Sequence, residues 1–370
     1  MSFKRIDFRF LAENIDRLRD LLKRLLPLIE GMQRFPMRPF VNELNEKRKK
    51  FETEVLRRFE RGEGNLFSLC VDPEYYYEEG RRQFLSDWIA YKFWIRSESI
   101  EKTDLAEKWG GDVVEEIVSL GFGVCEGDRL IPRIRIVPFG GKSFVCDVYD
   151  SESNDMVYLS FDSLALGNRI RRTKDFGGTV LDLYSGSGIL GLLCEGNARV
   201  FGYEKNSRAV DCARLNAMIC RADSCYECVD ALEAHRRMGE ADFVVFNPPF
   251  IFGPANRGKL HSSGGRLGIE KVCSSLEMIQ DSARDGCRFV AISQSPIVRG
   301  KDLLLENCKK LERLKLNYEY VDSFSFPEKM YGSFYRENGV DCIRQVILEG
   351  FVGKKGGIKL AESDEVMCFA

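Results

Sequence analysis

The most chemically pointed stretch of the chain is Asn247-Pro248-Pro249-Phe250, which follows the apolar run Phe243 to Phe246. An amide or an exocyclic aromatic amine is a poor nucleophile because its lone pair is delocalised. Two acceptors aimed at its two N–H bonds can turn that lone pair toward a carbon undergoing in-line displacement, a step governed mostly by positioning. Asn247 offers a side-chain carbonyl and Pro248 a backbone one. Neither proline carries an N–H, so the turn is stiff and presents acceptors without a competing donor. Phe250 can stack on a flat amide or base. No strong general base is required if the amine becomes positively charged and loses its proton afterwards.

A second constellation lies upstream. Val180 to Leu183 reads as a buried strand end running into Tyr184-Ser185-Gly186-Ser187-Gly188-Ile189-Leu190-Gly191, whose glycines permit a tight turn into a helix. The next short strand ends in Glu204, at the spacing of a ribose-gripping acid, and a third is followed by Asp230. Gly186-x-Gly188-x-x-Gly191 matches the dinucleotide fingerprint, but Asp182 stands just upstream, where a carboxylate would repel a pyrophosphate. That carboxylate suits a cationic ligand end. Ligands bind outside the carboxyl ends of such strands, so Asp182, Glu204, Asp230 and Asn247 are expected to open onto one pocket.

Taken together, these residues resemble the motifs of class I S-adenosylmethionine-dependent methyltransferases. Asn-Pro-Pro-Phe looks like the fourth motif of their amino-methyltransferase group, which includes the HemK-type glutamine methyltransferases and the guanine, adenine and cytosine exocyclic-amine enzymes. The resemblance implies a Rossmann-like α/β domain with a seven-stranded mixed sheet and S-adenosyl-L-methionine as cofactor. It assigns catalysis to Asn247, Pro248, Pro249 and Phe250. It assigns cofactor binding to Asp182, Tyr184, Gly186, Gly188, Glu204, Lys205, Asp230, Ala231 and Asn247, with Glu204 on the ribose hydroxyls and Asp230 on the adenine amino group. Ser160-Phe161-Asp162-Ser163-Leu164-Ala165-Leu166-Gly167 is similar to the segment preceding the first motif in guanine-amino methyltransferases of ribosomal RNA, with Ala165 where an acid is common. Ser263-Gly264-Gly265-Arg266-Leu267-Gly268 is similar to the Gly-Gly-x-x-Gly that follows Asn-Pro-Pro in glutamine methyltransferases. The Pro-Cys nucleophile of carbon-five pyrimidine methylases is absent from this turn.

The elements that must position these groups follow from periodicity. Strands are expected near 178–184, 198–204, 225–230, 242–247 and 287–293, and helices over 188–195, 207–219, 268–284 and 301–312. Two later runs, Tyr318–Ser325 and Cys342–Phe351, should close the sheet. Upstream, Leu11, Ile15, Leu18, Leu22, Leu25 and Ile29 mark one apolar helix face, which Pro27 should end or kink. Further helices are expected over 39–62 and 79–97, the latter with an aromatic cluster suited to core packing. Short helices at 104–109 and 112–120, then strands at 130–137 and 143–148 joined through Pro138-Phe139-Gly140-Gly141, resemble a winged-helix module. Glu115 and Glu116 on its second helix favour packing or substrate docking over reading of duplex DNA. The expected organisation is a helical region over 1–100, a docking module over 101–153, a catalytic domain over 154–353 and a tail over 354–370.

Composition narrows the classes. Fifty-five Lys and Arg against 57 Asp and Glu leave a formal charge of −2, so no global field advertises nucleic acid or membrane. Residues 1–63 alone carry sixteen basic and eleven acidic side chains. Thirteen cysteines suit a reducing cytoplasm, and no apolar run approaches a membrane span. Cys220, Cys225 and Cys228 have a ferredoxin-like spacing, but two of them fall on one predicted strand, so no metal site is expected. His235 and His261 are too far apart for a shared role, and no Ser/His/Asp triad is supported. The acceptor is expected to be a planar amino or amide group of a macromolecule. A glutamine amide of a protein factor leads, ahead of an exocyclic base amine of ribosomal or transfer RNA. A cofactor-binding module without transfer is the third reading.

Overall fold

A computed structural model describes residues 5–30, 88–95, 97–148, 153–159, 161–173, 176–194, 198–251, 264–265, 267–321 and 337–362. The helix expected over 39–62, most of that over 79–97, and His261 lie outside the described residues. The chain divides into two compact units, residues 16–138 and residues 7–15 with 139–367, apart from the extreme termini.

In the first unit, α2 (Ile15–Glu30) follows a break after α1 (Phe8–Glu13) and continues through Pro27 for one further turn. Proline's fixed φ is compatible with a helix, so the cost there is one lost hydrogen bond rather than an end. Helices α3 (Lys102–Trp109) and α4 (Gly111–Ser119) precede a hairpin of β2 (Gly123–Glu126) and β3 (Arg129–Pro132), with β1 (Ile100–Glu101) on the far side of β3. Phe93, Trp94, Trp109 and Phe122 form its aromatic core, with Trp94 and Trp109 stacked at 5.9 Å. Arg17 of α2 forks onto Glu116 of α4 at 3.0 and 3.1 Å, so that face of α4 is already engaged. The strand expected at 130–137 is broken at Arg133 into β3 and β4 (Ile134–Phe139), and that expected at 143–148 is β5 (Lys142–Asp147) of the second unit, reached through Gly140 and Gly141 at positive φ. Strand β2, which pairs with β3, was not expected.

The second unit is a nine-stranded sheet between two helical layers. Its order is β14 (Gly357–Glu362), β12 (Leu314–Val321), β13 (Val340–Val352), β10 (Arg288–Val298), β9 (Phe243–Phe246), β6 (Gly178–Leu183), β7 (Ala198–Glu204) and β8 (Ser224–Cys228), with β11 (Lys301–Asp302) paired to the end of β10. Strands β6 to β10 run parallel and β13 antiparallel to β10 and β12. The sheet exceeds the expected seven strands because of β11 and β14. The latter corrects the reading of residues 354–370 as a tail, since 357–362 pair in parallel with β12.

One face of the sheet buries Leu181, Leu183, Phe246, Phe289 and Leu348 under α8 (Glu270–Ser282) and α9 (Leu303–Cys308). The other packs against α5 (Phe161–Arg172), α6 (Ile189–Leu193) and α7 (Ser207–Cys220). The hairpin strand β5 belongs with this layer. Asn216 of α7, fully buried, accepts from Val145 N at 2.8 Å and donates to Val145 O at 3.0 Å. Arg208 pairs with Asp147, and Arg9 of α1 with Asp211 at 2.8 Å. These bonds draw the unit's start well upstream of the boundary expected at 154.

Candidate active site

All the sequence-selected side chains lie at or beneath the carboxyl ends of β6 to β9. After Leu183 the backbone enters the left-handed region at Tyr184 (φ 56°) and again at Gly186 and Gly188 (φ 52° and 80°). The turn closes through Gly188 N to Ser185 O at 2.7 Å. A Cβ at Gly188 would stand 2.8 Å from the Tyr226 hydroxyl, so the residue is fixed as glycine by space as well as by φ.

Glu204 ties this turn to the end of β7. Its Oε2 accepts from Gly186 N at 3.0 Å and its Oε1 from Asn206 N at 2.8 Å. Burial raises its pKa, while the N–H groups of Asn206 and Gly186 pull it back. Asp230 caps the helical turn Ala231–Ala234 through Leu232 N at 3.1 Å, and its second oxygen lies 4.0 Å from Lys205 Nζ. Ala231 is buried beside it. The Tyr184 hydroxyl meets Ser275 of α8 at 3.1 Å, and burial pushes its pKa up to about 12.

Asp182 is placed otherwise than expected. It is wholly buried, and its Oδ2 accepts from Gly191 N at 2.9 Å, inside the first turn of α6. Strand alternation sends this side chain under the glycine turn rather than to its open side. It therefore supports the turn and does not face the pocket. Burial pushes its pKa up to about 7, opposed by the Gly191 N–H and assisted by the charge of Glu204.

Asn247 stands one residue beyond β9, next to the start of the glycine turn, because Phe246 pairs with Leu183. Its Nδ2 donates to Asp162 Oδ2 at 2.8 Å and to Ser163 Oγ at 3.0 Å, both on the first turn of α5. Both amide hydrogens are thereby used, which fixes the carbonyl oxygen as the outward group. Among the described residues nothing donates to that oxygen or to the Pro248 carbonyl. Phe250 is 9 % exposed, so its ring is a wall of the turn rather than an open lid.

Gly264 closes the turn from outside. Its N–H donates to Ile251 O at 2.8 Å, and a Cβ there would lie 2.5 Å from Phe250 Cα and 2.7 Å from Pro249 O. Backbone atoms cannot yield as a flexible side chain can. Gly264→Ala is therefore expected to cost about 2 kcal/mol of stability and most of the turnover. Paired denaturation and activity measurements check this, and a variant matching the parent in both would contradict the packing described.

The role of Asp162 and Ser163 leaves no mark in the sequence that identifies it. They were visible in the Ser-Phe-Asp-Ser resemblance, but nothing there says that they grip Asn247. Nor was there any sign that Asn216 would hold Ser187 O at 2.9 Å together with the backbone of β5.

Residues 163–262 match a family model described as the methyltransferase small domain. The chain is 29 % identical over 121 residues to the tRNA (uracil(54)-C(5))-methyltransferase of Pyrococcus horikoshii, covering 30 % of this chain and 28 % of that protein. It thus spans little more than a quarter of that curated relative's length. Similar solved structures include Trm5b of Pyrococcus abyssi, at 15 % identity, TM-score 0.42 and coverage of 69 % and 71 % of the two chains. Another is the SAM-dependent methyltransferase of Agrobacterium tumefaciens, at 14 % identity, TM-score 0.40 and coverage of 65 % and 80 %.

Proposed function

We propose that this chain is an S-adenosylmethionine-dependent methyltransferase acting on an exocyclic amino nitrogen of a base in structured RNA. The observation that carries the reading is the carbonyl of Asn247, to which no described residue donates, turned outward by the bonds of its Nδ2 to Asp162 and Ser163 beside the Gly186–Glu204 corner. The corner fits the cofactor. Both Glu204 oxygens keep acceptor capacity after taking one backbone N–H each, as a ribose diol requires. Gly186 and Gly188 add no side chain to the turn, and Asp230 is partly exposed, with its second oxygen held only by the Lys205 ammonium at 4.0 Å among the described residues. In this reading Glu204 holds the ribose, Asp230 the adenine amine, and Tyr184, Lys205 and Ala231 line the site.

When bound, S-adenosylmethionine supplies an electrophilic methyl on a sulfonium. The chain's own contribution is orientation. Asn247 Oδ1 and the Pro248 carbonyl each accept one N–H of the acceptor amine, turning its lone pair toward the donor side. As the nitrogen gains positive charge, the same oxygens stabilise it, and its proton then leaves to solvent. The matched family model and the tRNA-methylating relative support a methyltransferase with an RNA acceptor. The relative's name gives a uracil carbon as its target. Asn247-Pro248-Pro249-Phe250 has no thiol for attack on a pyrimidine ring but has two acceptors for an amine, which favours nitrogen here. The first unit, with its helix pair and small sheet, is assigned to docking of the macromolecule.

The test is incubation of extract with the chain and methyl-labelled cofactor, split between ribonuclease and protease. Label lost to ribonuclease and retained after protease is expected. Label with the opposite sensitivity would transfer the assignment to a protein amide such as glutamine. Absence of label from every fraction would reduce the chain to a binding module.

A further inference from the structure

Two glutamines lie on the same face of the sheet as Asn247, beyond the last parallel row. Gln294 of β10 pairs directly across the ladder with Gln345 of β13. Alternation places both on the face of α5. On β10, Phe289 and Ala291 enter the opposite core and Ser295 reaches Asp302, leaving Gln294 on the other side. On β13, Val346 and Leu348 enter that core, while Glu349 takes Arg169 of α5 at 2.9 Å, so Gln345 shares its face. Asn247 is on the same face through its bonds to α5. The last parallel row pairs Phe246 with Ala291, so Gln294 stands beyond it, at the carboxyl edge of the sheet.

The two side chains are only 6 % and 5 % exposed, yet neither amide hydrogen-bonds to any described residue. Cross-strand partners have Cβ atoms about 5 Å apart, so the two amides form one compact polar patch. Neither amide is among the polar groups sealed off without a partner, so the stems are buried while the amide ends stay open to solvent or to a ligand edge.

We infer that Gln294 and Gln345 read the ring edge flanking the amine to be methylated, and that they select a purine. This rests on the RNA amino-methyltransferase reading above. Each carboxamide can both donate and accept. A purine amine has polar ring positions on both sides, N1 and N7 in adenine or N1 and N3 in guanine. The cytosine amine has a C–H on one side, which would leave one glutamine unpaired. A glutamine amide acceptor offers no ring edge.

The experiment uses the full chain, methyl-labelled cofactor and RNA from cells lacking this protein, with digestion to nucleosides and chromatography of the label. Wild type is expected to label a purine nucleoside. Gln294→Met and Gln345→Met, close in size but apolar, are each expected to raise the RNA KM about 10- to 100-fold while kcat changes less than about threefold. Cofactor affinity and melting temperature should stay at the wild-type values, which separates reading from folding. Gln294→Glu keeps an acceptor but loses the donor, and is expected to fall with the Met variant. Label on cytosine, or Met variants with wild-type KM, overturns the inference while leaving the amino-methyltransferase reading intact. Absence of label from RNA with the wild-type chain overturns both.

Discussion

Asn247→Ala is expected to lower turnover about a thousandfold while cofactor affinity changes less than about twofold. Among the described residues the side chain bonds to Asp162 and Ser163 on α5 and not to the glycine turn. Removing it takes away one of the two acceptors proposed for the amine and leaves the Gly186–Glu204 corner untouched. Asp162→Ala should act through the same carbonyl with a smaller effect, roughly ten- to a hundredfold on kcat, because Ser163 still holds the amide. Rapid-quench rates with calorimetric cofactor titration distinguish the two contributions. Wild-type turnover in Asn247→Ala would remove the turn from the chemistry.

Asp182 sets the second large effect, on stability rather than rate. Its carboxyl has an ordinary value of 3.8 but is held at about 7 in the fold, chiefly by burial. Between those values the unfolded chain has released the proton and the folded chain still keeps it. The stabilisation is thus fully present below about pH 4 and is lost as pH rises through 7, amounting to on the order of 4 kcal/mol. Glu204 shifts in the same direction, so the comparison must be made with a variant. Asp182→Asn keeps an acceptor for Gly191 N and cannot ionise. The wild type should therefore lose stability relative to this variant between about pH 4 and pH 7, as read by urea denaturation. Parallel pH profiles would mean that the carboxyl titrates normally.

The parallel strands were readable because strands buried on both faces are continuous apolar runs with polar or glycine-rich ends. Val180 to Leu183, Val200 to Glu204 and Phe243 to Phe246 all behave in this way. Glu204 and Asn247 follow directly, since a strand end leaves its last polar residue at the sheet edge. Asp182 misled for the same reason. Its place in the motif suggested a ligand contact, but one residue of register decides which side of the turn it meets, and that is settled by Gly191 and α6. Strand β14 was hidden because Gly357-Ile358-Lys359-Leu360 alternates only briefly amid lysines, and its pairing is supplied by β12. Asp162 and Ser163 acquire meaning only when α5 is laid across the sheet. No local pattern links residues 85 positions apart.

Asn216 holds two distant stretches of main chain with one side chain, Ser187 in the glycine turn and Val145 in the hairpin. Such a bracket makes the two segments a single mechanical part. A change that displaces β5 must therefore also displace the glycine turn, and a change in the turn must be felt along β5.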